Sequence, residues 1–399
     1  MAYQTASKIL AAIKRETTAG TAATASGASR MRIIDSEGLV LSRAIIQSQE
    51  KKSNALDADV RLGYKSVAGS FNAELSAGGA TDMLLEAIMR SAWATATAVG
   101  FGTMTTVAVG TNELVAAAGS WHTQGVKTGD IFSLSGTSQS ANNSRNIRAL
   151  AVTTLTISVA TGTYTVVAAS ATGTLTVLKK VITATTPTTY HHTVEQYDQD
   201  VDLSELFLGC QCIGARLSFR PGQMATVQYS FLGMDRTALA VGTSPWFSSP
   251  TLTTSLQLVA DDSSIRYNGA AVATFTGLDI DFQITAQGQP VIGSLVTPAI
   301  FDNNLAVSGS ITGLRSDFSN LTLYDAETEF AMSILLQEPT GSPPKCVSFY
   351  LPRVKLTSLS APIGGGDGAK IESLGFKAMD KTAATCHDGG VACIQSSEA

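Results

Sequence analysis

Apolar and polar positions alternate along much of the chain with a period of two, which is how a strand with one buried face reads. Leu39, Leu41, Arg43 and Ile45 share one side of such a segment, and Val67 to Leu75 repeats the pattern. One stretch departs from it. In TDMLLEAIMRSAW (81–93), Leu84, Leu85, Ile88 and Met89 fall on one helical face; Thr81 is placed to cap the helix and Asp82 lies in its first turn. After Thr186 the strand pattern returns, with candidates over Tyr190–Tyr197, Cys212–Phe219 and Ala225–Leu232 and a Pro221-Gly222 turn. A Thr/Ser/Pro-rich connector, about 238–262, leads to a hairpin: Ser264–Tyr267, the Asn268-Gly269 turn, then Ala271–Phe275.

Residues 95–185 have another character. Thr, Val, Ala and Gly dominate and acids nearly vanish. Val126–Gly136 reads as turn then strand, with further short strands at Ile147–Val152, Thr154–Val159, Tyr164–Val167 and Thr174–Val177. Strands this short and this close predict a small all-β module. Residues 1–30, including TTAGTAATASGAS, show no periodicity and read as a flexible arm.

The chain also repeats itself. VAGSFNAELS (67–76) matches VSGSITGLRS (307–316), with Gly69 and Gly309 separated by 240 positions, and GLVLSRAI (38–45) matches GLDIDFQI (277–284) at 239. Further on, YHHTVEQYD (190–198) resembles FAMSILLQE (330–338) at 140, and FLGMDRTA (231–238) matches FKAMDKTA (376–383) at 145. The drop in offset means that roughly 100 residues present in the first copy are missing from the second, and the gap falls on 95–185. The expected organisation is therefore an arm (1–30), copy one (31–94 plus 186–240), an inserted module (95–185), a linker (241–262), copy two (263–383) and a tail (384–399).

Composition narrows the function. Of 399 residues, 44% are apolar, enough for sizeable cores, and only 15% are charged, with a net charge of −5. An acidic chain without clustered Lys and Arg is a poor nonspecific nucleic-acid binder. The amino end lacks the apolar core of a signal peptide, no run is long enough for a membrane helix, and five sparse cysteines predict no disulfide framework. The chain reads as soluble and made in a reducing compartment.

No catalytic, cofactor or metal site is expected. His191 and His192 point to opposite faces of their strand, and His122 and His387 lack partners at motif spacing. Cys210-x-Cys212 and the Cys386/Cys393 pair miss zinc spacing, although the latter pair can oxidise after cell lysis. GGGDG (364–368) lacks the Lys-Ser/Thr and the helix of a phosphate loop, and it aligns with the Pro221-Gly222 hairpin. Asp261-Asp262 and Glu327/Glu329 flank turns without a supporting motif.

The segments resemble the tail tube proteins of long-tailed, siphovirus-like phages. The inserted module carries the likeness most clearly: Gly129, Asp130, Ile131, Leu134, Ser135 and Gly136, then Asn142-Asn143, then the apolar strand 147–152 and Thr153–Ile157. The hairpin SIRYNGAAVATFTGLDIDF also fits the family. The resemblance implies a mostly β fold: two tandem tail-tube-type β-sandwich or barrel domains, each with a packed helix, plus the inserted module. It implies a structural virion protein in the phage tail, assembled in the host cytoplasm. Rings stack into a hollow tube, and genomic DNA passes through it without specific binding. Expected partners are further copies of the chain, the tape measure protein, the tail terminator and the distal tail or baseplate proteins, with no membrane and no cofactor. Two domains per chain imply a trimer where single-domain relatives form a hexamer. Residues 1–30 and the loop 364–368 are candidates to order on stacking, and the inserted module is expected to project from the outer wall.

One alternative is a β-rich surface adhesin or carbohydrate-binding protein. A low aromatic content of 7% and a helix-bearing repeat speak against it. A β-rich glycan hydrolase would need two carboxylates fixed across a cleft.

Overall fold

A computed structural model describes residues 3–398 except 36, 54, 55, 57, 58, 268 and 364–367. The chain is mostly β, with two α-helices among the described residues, one in each expected copy.

The main body begins with β1 (Ile9–Arg15), β2 (Gly38–Gln47), β3 (Val60–Glu74), α1 (Gly79–Met89), β4 (Lys179–Ile182), β5 (His192–Asp198), β6 (Leu203–Phe219), β7 (Thr226–Gly233) and β8 (Asp235–Leu239). There follow β9 (Ser263–Tyr267), β10 (Phe275–Gly288), β11 (Ile300–Leu314), α2 (Ser319–Asp325), β12 (Phe330–Gly341), β13 (Pro344–Ser360), β14 (Ile371–Ala378) and β15 (Cys393–Ser396).

Antiparallel pairing joins eight of these strands in the order β2-β3-β7-β6-β10-β11-β14-β13. The order is a quartet stated twice: β2-β3-β7-β6, then β10-β11-β14-β13. Each quartet runs first strand, second, last, third, with its helix between the second and third. The seam between them is the β6–β10 pairing, Gly214↔Gln283 through Phe219↔Leu278.

Equivalent positions coincide in detail. Gly69 lies opposite Leu39 and Phe231, and Gly309 lies opposite Ile280 and Phe376. Both third strands carry a bulge at the same place, at Ile213 between the Cys212 and Gly214 pairs and at Thr357 between the Leu356 and Ser358 pairs. The ladder equates Leu39 with Ile280, two residues from the sequence alignment, which keeps the same face toward the core.

One face of the long sheet is apolar. Phe71, Tyr229, Ala215, Phe282 and Val307 form a row across it, and all are buried in a core that includes Leu84, Leu85 and Ile88 of α1. Here α1 covers its quartet as the period-3.6 pattern requires. It starts two residues earlier than the sequence suggests, with Gly78 as the N-cap residue, and the Gly78 N–H donates to Asp82 Oδ1 at 3.0 Å. It ends at Arg90 in the left-handed region (φ 53°).

Several boundaries expected from sequence shift. Residues 9–15 are not a free arm: β1 pairs along its whole length with β5, and Ala11, Ala12 and Ile13 are buried. Its partner lies some 180 positions away, so local periodicity carried no trace of it. Residues 241–262 are packed as well as connecting, since Phe247 is buried against Ala12, Ala23 and Ala28. The carboxyl tail supplies β15, which pairs with β4 and β13. Because β4 joins the main body, the module with its own sheets ends at Val177 rather than 185. Two small sheets, of five and four strands, pack there around Trp121, Phe101, Phe132 and Leu175. The hairpin expected after residue 263 shrinks to Arg266↔Ala271 and Tyr267↔Ala270, with Asn268 outside the described residues; Phe275 instead opens β10.

Candidate assembly surface

The second face of the eight-stranded sheet is polar. Strand alternation sends the residues between core positions to this side. Pairing then lines them up in rows: Asn72, Gln228, Arg216, Asp281, Ser308 and Lys377, and beside it Glu74, Thr226, Ser218, Asp279, Ser310 and Gly375. Serine, threonine, asparagine, glutamine and glycine dominate. Acids and bases are interspersed, with Glu74, Asp279 and Asp281 beside Arg216, Arg220, Lys355 and Lys377. Arg220 donates to Asp279 Oδ2 at 2.7 Å and Ser218 Oγ donates to Oδ1 at 2.8 Å. Despite partial burial, which opposes it, these donors hold the Asp279 carboxyl below its ordinary range.

Each quartet extends a long first hairpin past the core. Ile45, Ile46, Val60 and Leu62 are exposed on β2–β3, and Ile292, Leu295 and Phe301 on β10–β11. The hairpins touch where the Lys65 N–H donates to the Leu295 carbonyl at 2.8 Å.

The module at 97–177 lies between α1 and β4 in sequence and docks on β12, β13 and β15. Arg148, buried in this contact, donates to the Gly129 carbonyl (2.7 Å), the Ile334 carbonyl of β12 (3.2 Å) and Ser348 Oγ of β13 (2.6 Å). The Ile131 N–H donates to Gln395 Oε1 of β15 at 2.7 Å. Beside them Lys180 Nζ lies 3.1 Å from Asp130 and 2.7 Å from Asp388. Burial pushes Asp130 up to about 6; Lys180 pulls it down and Asp388 pushes it further up. For Lys180, burial is outweighed by the two carboxylates, which raise its ammonium above the ordinary range. Asp130, Asp388 and Cys393 converge with metal-ligand spacing, a cluster the sequence did not signal. The Lys180 ammonium bonds to both carboxylates and already supplies the positive charge there.

The histidines, the cysteines and the acidic pairs are spread through the fold. His192 is buried in β5, with its imidazole pushed down to about 3 by burial and then by Arg15. His191 precedes that strand and its carbonyl accepts the Glu16 N–H. His122 and His387 lie elsewhere, in the module and near the tail. Cys210 and Cys212 are core thiols, with burial raising Cys212 to about 12. All five cysteines are free; Cys393 is buried and Cys386 half-buried. Asp261 accepts the Gly222 N–H and so fixes the Pro221-Gly222 turn, while Glu329 pairs with Arg353 at 2.7 Å and Glu327 with Lys355 at 3.5 Å. Of GGGDG, residues 364–367 lie outside the described residues. Among the described residues no helix is long and apolar enough to cross a membrane.

A search of curated proteins finds no match to this chain. The family model described as phage tail tube protein matches residues 6–378, nearly the whole sequence and both quartets. The chain therefore belongs to the phage tail tube protein family and is a structural component of the virion tail.

Proposed function

We propose that the chain self-assembles into rings of three copies that stack into the tail tube, and that genomic DNA passes through the lumen on its way to the host. The observation that carries this reading is the doubled quartet, β2-β3-β7-β6 and β10-β11-β14-β13, in one continuous sheet. Two equivalent units per chain give three chains the pseudo-sixfold symmetry of a six-unit ring. The quartets with their flanking strands are the two tandem tube domains, and 97–177 is an inserted decoration.

The polar sheet face supports a lumen lining. Its hydroxyls, amides and interspersed charges of both signs give a passing polyphosphate neither a basic stripe to grip nor a strongly repulsive wall. The exposed apolar hairpin tips suit contacts between successive rings, a head-to-tail interaction that extends without closing. The tape measure protein, the tail terminator and the distal tail proteins are the partners that would set the length and cap the ends. The chain itself has no catalytic role in this reading.

Negative-stain electron microscopy of the concentrated, purified protein tests it. Hollow tubes of stacked rings are the expected result. Protein that stays monomeric, even when an initiating tail tip is added, and that binds glycans instead would overturn it.

A further inference from the structure

We propose that Lys180 of β4 and Asp130 of the module join through an amide bond between their side chains, formed by the folded chain itself with Asp388 as the proton acceptor. The site is independent of how copies assemble.

Three elements bring the reacting groups together. Asp130 precedes the module strand Ile131–Ser135, Lys180 lies in β4, and Asp388 lies in the carboxyl tail ahead of β15. Lys180 Nζ is 3.1 Å from each Asp130 carboxylate oxygen and 2.7 Å from Asp388 Oδ2. Equal distances to Oδ1 and Oδ2 put Cγ about 3–3.5 Å from the nitrogen, the spacing of a near-attack pair. The Lys127 N–H donates to Asp130 Oδ2 at 2.8 Å. A donor at that oxygen polarises the carboxyl and stabilises the negative charge that attack places there.

The backbone holds this arrangement from both sides. The Asp130 carbonyl accepts the Ala149 N–H at 2.8 Å, and the Asp130 N–H closes a turn on the Lys127 carbonyl at 3.2 Å. Gly129, ahead of it, lies so close to Tyr350 that a Cβ there would overlap the ring. Lys180 pairs with Gln395 of β15 on one side and exchanges backbone hydrogen bonds with Ala94 on the other. Nearby ion pairs lack these parts. Among the described residues, Lys179 meets one carboxylate at ion-pair distance, Asp82 at 2.8 Å, and Lys355 meets Glu327 and Glu329 at 3.5 and 4.0 Å on the surface.

The environment separates the roles of the two acids. The Asp130 side chain is 1% exposed, and that of Asp388 is 21% exposed and can exchange protons with solvent. Burial favours the protonated, electrophilic form of Asp130, pushing its carboxyl up to about 6. The two carboxylates hold the Lys180 proton more firmly than usual. The amine therefore becomes a nucleophile only as Asp388 takes that proton, and the reaction is slow.

The step balances without an added reagent. Asp388 removes a proton from the ammonium, and the freed amine attacks Cγ of protonated Asp130. The N–C bond forms while Oδ2 takes up the charge. Asp388 returns its proton to the Oδ1 hydroxyl, the C–Oδ1 bond breaks and water leaves. Asp388 then takes the surplus proton from the nitrogen and releases it to solvent, leaving a neutral secondary amide. The product ties the module to β4 covalently.

Mass spectrometry of the full-length protein, aged in the folded state and denatured just before injection, tests this. The unsubstituted chain should be lighter than its sequence by one water, and its tryptic digest should contain a branched peptide joining Asp130 to Lys180. K180R and D130A should keep the full sequence mass. D388N keeps both reactants and should slow bond formation by about 10²-fold or more. An unsubstituted chain at full sequence mass, or a water loss that maps to a succinimide at Asp388-Gly389 with Lys180 free, would show an ion pair only and overturn the proposal. D388N reacting as fast as the unsubstituted chain would overturn the role given to Asp388. Whether the bond forms is read on the unsubstituted protein, so a misfolded variant does not bear on it.

Discussion

Gly69 and Gly309 show at single-residue scale how closely the two quartets match. A Cβ on Gly69 would sit 2.0 Å from the Gly38 carbonyl oxygen, and one on Gly309 would sit 2.1 Å from that of Asp279. Both first strands press against the second strand at the same spot, so each site admits only a hydrogen. Gly69→Ala and Gly309→Ala should each cost on the order of 1–3 kcal/mol through overpacking, measured by denaturant unfolding. A neutral effect at either site would mean that the two strands are not in the equivalent register. His192 gives a second residue-scale expectation. Its folded pKa of about 3 lies below the ordinary value of 6.5. Its neutral form therefore contributes stability that is present above about pH 6.5 and is lost as pH falls toward 3. His192→Leu should show a smaller fall in melting temperature between pH 7 and pH 4 than the unsubstituted chain. An equal fall would place the acid sensitivity in other groups.

At the scale of elements, the inserted module and the tail depend on one another. Arg148 and Ile131 of the module bond to β12, β13 and β15, and β15 is itself held by β4. Arg148→Ala would leave the Ile334 carbonyl and Ser348 Oγ without their donor in a buried contact. A cost of about 1–3 kcal/mol follows, read as earlier thermolysin release of the module. Removing 97–177 with a short linker should leave tube assembly in place, since β4 is retained. Removing 96–185 takes β4 as well, strips β15 of a partner and should lower stability. Equal stability of the two deletions would show β4 to be dispensable.

These elements also mark what the sequence could tell. The period of two found the strands around Val67 and Ala225, and α1 stood out because Leu84, Leu85 and Ile88 share one face. Short words such as FLGMDRTA and FKAMDKTA repeat at an offset that pairs Phe231 with Phe376, and the ladders place these two opposite Gly69 and Gly309. Strand β1 was not legible. Its run of Ile, Leu and Ala becomes a strand only through β5, a partner that no local pattern encodes. The module's docking on β12 and β13 was hidden for the same reason, because Arg148 reaches residues some 200 positions away. The polar sheet face emerges only once the eight strands are ordered and their alternate residues fall into rows.

At the scale of the whole molecule, one chain is a third of a ring in the proposed assembly. Eight strands in the order of a quartet stated twice leave, among the described residues, β2 and the end of β13 each with a single strand partner. The most direct measurement is the mass of one ring, obtained from mass per length of purified tubes by scanning transmission electron microscopy together with the axial repeat. The account predicts about three times the chain mass of 41.4 kDa in each repeat. Six chain masses per ring would contradict it, because each chain would then supply a single unit of a sixfold ring and the doubled quartet would have no part in closure.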